Sequence, residues 1–90
     1  MKTIKRVTCT KPVSKSGNGL AVAVTGAVKE LGIGSGEFVR VSFENNLSKI
    51  TADKKVMVKG TSFMLSVTKE LKALGYEHGD VVRVTLEKIN

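Results

Sequence analysis

At 90 residues the chain makes one small domain with a modest core, because a chain of this length buries only about 60–65% of its unfolded surface. An apolar fraction of 41% and a charged fraction of 26% exclude wholesale disorder, and no apolar run is long enough for a membrane-spanning helix. The net charge of +7 points to an anionic partner, whether nucleic acid, an acidic protein or a membrane surface.

The first ten residues, MKTIKRVTCT, are charged and lack the apolar core and small-residue cleavage site of a secretion signal. Cys9 is the only cysteine, so no internal disulfide forms, as suits a reducing compartment. The expected location is cytoplasmic. The stretch TIKRVTCT alternates as a strand does. Leu20–Val24, LAVAV, reads as a short buried strand. Thr25 then stands at the N-cap of a two-turn helix, GAVKEL, with Val28 and Leu31 on one face. Gly32 is placed to end it in a left-handed conformation. A turn at Gly36-Glu37 leads into FVRVSFE, where Val39, Val41 and Phe43 face one way and Phe38, Arg40 and Ser42 the other. Asn45-Asn46-Leu47 is a short linker.

The pattern then repeats at an offset of 43 residues, without a gap. Identities include Gly17/Gly60, Val24/Val67, Thr25/Thr68, Leu31/Leu74, Gly32/Gly75, Gly36/Gly79 and Glu44/Glu87, with Val-Arg-Val at 39–41 and at 82–84. Upstream, Thr8/Thr51, Lys11/Lys54 and Val13/Val56 also agree. KITADKKVMV, FMLSV, KELKAL and VVRVTLE supply the second strand, strand, helix and strand. This is an internal duplication, repeat one about 1–44 and repeat two about 48–90, within one domain spanning 1–90. Two copies suit a closed pseudo-two-fold domain in which each half buries the apolar face of the other.

Charge is segregated along the chain. Residues 1–25 carry +5 and 45–69 carry +4, whereas 26–44 carry −1 and 70–87 carry −2. The cations therefore follow the early strands of each copy and their connecting loops. On their own, such lysines are ordinarily solvated and guard sheet edges against aggregation. Arg40 and Arg83 lie on the acidic strands, to pair with carboxylates or stay exposed. Asn18-Gly19 is a hairpin-turn signal because both residue types tolerate positive φ. The glycines at 32–36 lack the spacing and the Lys-Ser/Thr of a phosphate-binding P-loop.

The stretch KSGNGLAVAVTGAVKELGIGSGEFVRVSFE resembles the DNA-binding domains of the AbrB/MazE/SpoVT swapped-hairpin (cradle-loop barrel) superfamily. Repeat one carries the resemblance at Lys15, Gly17, Asn18, Leu31, Gly32, Gly36 and Glu37, and repeat two at Lys59, Gly60, Ser62, Leu74, Gly75, Gly79 and Asp80. Thr25 and Thr68 stand where the family has proline, Gly19 stands for its serine, and Thr61 stands for its asparagine. The resemblance implies a mostly β fold with two short helices, a small barrel of two pseudo-two-fold-related β-β-α-β repeats. Its topology is swapped-hairpin or, alternatively, double-psi. It further implies a DNA-binding transcriptional regulator or small architectural protein, in which Lys11, Lys15, Lys54 and Lys59, with Lys5, Arg6, Asn18 and Lys55, contact duplex phosphates. The tandem copies would then build in one chain what other members build as a dimer, leaving room for a further dimer. The alternative is a protein-binding module that uses the same scaffold without DNA, as phage- or plasmid-encoded modulators and antitoxins do.

Catalysis is not expected. His78 and Cys9 are the only residues of their kinds, His78 falls where repeat one has Ser35, and Cys9 sits in an alternating strand. Single histidine and cysteine residues supply no transition-metal site, and no cofactor is called for.

Overall fold

The computed structural model describes residues 6–45 and 47–89. Its elements run β1 (Arg6–Pro12), β2 (Ser14–Ser16), β3 (Gly19–Ala23), α1 (Thr25–Leu31) and β4 (Phe38–Glu44). The second copy follows as β5 (Lys49–Lys55), β6 (Met57–Lys59), β7 (Ser62–Ser66), α2 (Thr68–Ala73) and β8 (Val81–Lys88). The protein is mostly β, with two short helices and two four-stranded antiparallel sheets, ordered β1-β8-β4-β5 and β2-β3-β7-β6.

Each sheet joins the copies through its central pair, β8 with β4 and β3 with β7. The outer strands also cross over in the first sheet: β1 of repeat one lies on β8 of repeat two, and β5 of repeat two lies on β4 of repeat one. Alternation dictates this packing. Val39, Val41 and Phe43 on β4 and Val82, Val84 and Leu86 on β8 are fully buried, while the residues between them face outward. Leu20, Val22 and Leu65 from the second sheet and Val28, Leu31 and Leu71 from the helices complete one core. Each fully buried side chain of this kind contributes roughly 1.5–3 kcal/mol. The helices depend on that burial, since two turns do not hold alone.

Three expectations need correction. No closed barrel forms among the described residues: the ladders end at β1 and β5 in one sheet and at β2 and β6 in the other. The chain turns from one sheet into the other at Val13 and Val56. The Val13 N–H donates to Asp80 O at 2.7 Å, and the Gly79 N–H donates to Val13 O at 3.0 Å. Forty-three residues on, the Val56 N–H donates to Glu37 O at 2.8 Å, and the Gly36 N–H donates to Val56 O at 2.9 Å. Both backbone groups of each corner valine are thus taken by a turn of the opposite copy and are lost to the ladders. The single early strand expected in each copy is consequently two strands meeting at a corner.

The second correction concerns Thr25 and Thr68. The N-cap positions are Val24 and Val67, and neither helix has a side-chain cap. The threonines instead reach across the molecule. Thr25 Oγ1 accepts the Phe63 N–H at 3.0 Å, and Thr68 Oγ1 accepts the Leu20 N–H at 2.9 Å. The β3–β7 ladder runs from Ala21–Ser66 to Ala23–Met64 and stops short of these two amides. A buried unpaired N–H is costly, and the hydroxyls remove that cost. Gly19 makes room for one of these bonds, because a Cβ there would collide with Thr68 Oγ1.

The third correction moves a turn by one residue. Ser16 pairs with Gly19, so the two-residue loop is Gly17-Asn18 rather than Asn18-Gly19. Gly17 takes φ +59°, as a two-residue turn with glycine first requires. Gly60, at φ +64°, does the same between Lys59 and Ser62.

Candidate functional site

Lys5 lies outside the described residues. The other seven expected contact residues do not share one surface. Arg6, on the outer face of the first sheet, donates to Glu87 Oε2 at 3.2 Å. Lys55 is exposed on the same face, opposite Phe38. Lys11 and Lys54, equivalent by the 43-residue offset, both lie half-buried on the inner side of the edge strands. Their surroundings differ. Lys54 Nζ stands 3.0 Å from Glu70 Oε2 on α2, and the other oxygen of that carboxylate is buried without a partner. The position equivalent to Glu70 is Ala27, so Lys11 makes no ion pair among the described residues.

Lys15 and Lys59 flank the two hairpin turns and are exposed. They are not structural equivalents, because residue 15 corresponds to 58 at the repeat offset. Lys15 pairs with Leu20, a core residue, whereas Lys59 pairs with Ser62. A one-residue shift on a strand reverses the face, so these lysines leave opposite faces of the second sheet. Asn18 is exposed at the turn tip.

Charge nonetheless differs between the outer face of the first sheet and the other strands and helices. The second sheet, the helices and the inner side of the first sheet's edges carry Lys11, Lys15, Lys29, Lys54, Lys59, Lys69 and Lys72 against Glu30 and Glu70, while Glu37, Glu77 and Asp80 stand in the turns, with Glu77 beside Lys72. The outer face of the first sheet is closer to balance, with five cations against Glu44, Asp53 and Glu87.

That outer face holds the feature missed in the sequence. All three arginines of the chain, Arg6, Arg40 and Arg83, border one open groove of about 360 Å³. Cross-strand register arranges its lining in three rows, which Asp53 and Thr10 extend beyond the groove at the sheet's outer strands. Arg6, Glu87, Arg40 and Asp53 lie side by side across the four strands, alternating in charge. Arg40 Nε donates to Asp53 Oδ1 at 3.1 Å. That hydrogen bond and the aspartate's charge hold the guanidinium above its ordinary pKa. Next come Thr8, Thr85, Ser42 and Thr51, whose hydroxyls bond in pairs at 3.0 and 3.1 Å. The third row holds Thr10 opposite Arg83 and Glu44 opposite Lys49. The signal was present in the sequence, because every one of these residues occupies the outward phase of its strand. What was absent was the strand order that sets them side by side.

Cys9 and His78 do not meet. Cys9 is half-buried on the inner side of β1, and burial pushes its thiol pKa up, with Lys11 opposing and Glu30 assisting. His78 is exposed in the turn that grips Val13, four strand residues or about 13 Å further along. Among the described residues, no three His, Cys, Asp or Glu side chains gather as metal ligands, and no helix is long and apolar enough to cross a membrane.

Comparison with protein-family models, curated proteins and solved structures finds no match to this chain.

Proposed function

We propose that the protein binds duplex DNA through backbone phosphates, using the lysines of the second sheet and the helices. The observation that carries this reading is the charge surplus of these elements, seven lysines against the two carboxylates Glu30 and Glu70, which persists when the turn residues Glu37, Glu77 and Asp80 are counted with them. Lysine suits the role as a point charge for phosphate. Lys15, Lys59 and Asn18, at or beside the hairpin turns, are the exposed members of the expected set in the second sheet, the two lysines leaving its opposite faces. Lys11 contributes charge from beneath, and Lys54 is already held by Glu70. The likeness to the AbrB/MazE/SpoVT domains belongs to the same proposal: the interleaved copies form an opened-out relative of their barrel and act as a regulator or small architectural protein in the cytoplasm. The exchange of β1 and β5 between copies supports that likeness.

The test is fluorescence anisotropy of a labelled random-sequence duplex at several salt concentrations. Neutralising about five phosphates gives a slope of log K against log salt of about −4.5. A Lys15→Ala/Lys59→Ala variant flattens that slope by about 2. A slope near zero, or one unchanged in the variant, overturns the reading.

One observation favours a protein partner instead. β6 is a sheet edge with Met57 and Val58 exposed, where repeat one has Ser14 and Lys15. On that reading heparin does not compete, and binding withstands moderate salt.

A further inference from the structure

The two ends of the outer groove are equivalent by the 43-residue offset, yet only one is neutral. At the first end Arg6, Glu87, Arg40 and Asp53 alternate as two cations and two anions. The equivalent residues at the other end are Lys49, Glu44, Arg83 and Thr10. Threonine replaces the aspartate, so this row carries two cations and one anion. Arg83 is directly opposite Thr10. Among the described residues it has no carboxylate within ion-pair distance, whereas Arg6 and Arg40 each have one. Glu44 lies across from Arg83, one step beyond the Phe43–Val84 pair, and makes no ion pair with it or with Lys49. The hydroxyl row adjoins Arg83 through Thr85 on its own strand and Thr8 on β1.

We propose that this end of the groove is a phosphate-binding site, in which the Arg83 guanidinium forks onto two oxygens of the anion and the hydroxyls of Thr10 and Thr85 donate to the others. A guanidinium presents parallel N–H donors matched to a tetrahedral oxyanion, and hydroxyls rotate to meet the remaining oxygens. Duplication has left one arginine's partner position open, and the vacancy admits an external anion where Asp53 fills it in the other copy. This goes beyond the lysine-mediated reading above: it concerns the other side of the molecule and stands whether or not the lysines bind DNA. The phosphate belongs either to a small phosphorylated molecule or to a nucleic-acid backbone.

The test follows the arginine side-chain Nε–Hε signals of the intact, isotope-labelled chain by NMR during titration with inorganic phosphate. Phosphate shifts the Arg83 signal and the Thr10 amide while leaving Arg40 unmoved. Thr10→Asp, which writes in the missing carboxylate, weakens this response at least tenfold, and Arg83→Gln does the same. Asp53→Thr brings the Arg40 signal into the titration, as a second site made by restoring the equivalent vacancy. Shifts spread evenly over all surface cations, or an undiminished response in both Thr10→Asp and Arg83→Gln, overturn the proposal. Repeating the titration with a short duplex identifies the source. A duplex that moves Arg83 places a backbone phosphate there; one that leaves it still, while phosphate moves it, assigns the site to a small phosphorylated molecule. Lysine-mediated binding is read separately, by anisotropy with the Lys15→Ala/Lys59→Ala variant.

Discussion

Repeat one and repeat two agree inside and disagree outside. Val24 and Val67, Val39 and Val82, and Val41 and Val84 are buried alike, and the corner valines are gripped by the same turn in each copy. The agreement fails at the partners of the cations: at the surface Arg40 has Asp53 where Arg83 has Thr10, and at the half-buried margin of the core Lys54 has Glu70 where Lys11 has Ala27. A duplicated core is tied by close packing, in which one misplaced methylene is felt. A surface ion pair is worth only about 0–1 kcal/mol, so either member drifts at little cost. New properties of a tandem protein therefore arise first where one copy has lost a charge that the other kept.

The comparison is broken most severely from the inside. Phe43→Ala and its equivalent Leu86→Ala each lower stability in urea by about 2–5 kcal/mol, because both side chains are fully buried in the shared core. If one is tolerated and the other is not, the copies are not equivalent in packing. Next comes the charge that only one copy pairs. Glu70→Ala strands Lys54 and costs about 1–3 kcal/mol, since the pair is largely but not wholly buried. Lys11→Ala, which breaks no pair, changes stability by less than about 0.5 kcal/mol in the same unfolding measurement.

Much of this fold was legible in the sequence. The period of two in FVRVSFE and VVRVTLE assigned the buried valines, and the offset of 43 assigned the second copy. Alternation names the face of a residue but not its neighbour on the next strand. For that reason the groove, the rows across it and the surplus at Arg83 stayed hidden although each residue was in view. Thr25 and Thr68 were misread for a related reason: a threonine before a helix serves a local cap or a distant amide, and only the end of the β3–β7 ladder decides between them. Lys15 and Lys59 matched as motif residues but lie one position out of step, which on a strand means opposite faces.

Smaller effects sharpen the contrast further. Gly19→Ala drives a methyl group into Thr68 Oγ1 and costs about 1–3 kcal/mol. Ser62→Ala at the equivalent site changes stability by less than about 0.5 kcal/mol, as a methyl-for-hydroxyl change where a Cβ already fits. The smallest effect is at Cys9, which has Thr10 and Lys11 beside it where repeat two has Ala52, Asp53 and Lys54. Its raised pKa, due first to burial, makes it react more slowly with iodoacetamide at neutral pH than the same cysteine in the urea-unfolded chain. The unfolded thiol ionises first, near about 8.5. Stability therefore falls slightly as pH rises through and above that range, and Cys9→Ser removes this alkaline dependence.

The order β1-β8-β4-β5 also has a meaning in time. β4 and β5 are neighbours in the chain and pair as a local hairpin, but β1 and β4 are joined only through β8, the last of the four in chain order. Zipping Arg6–Pro12 onto Val81–Glu87 joins segments far apart in the chain, and closing so long a loop before its contacts form slows folding. β8 acts as a keystone, and until it is in place the edges of β1 and β4 that it covers are open to any passing strand.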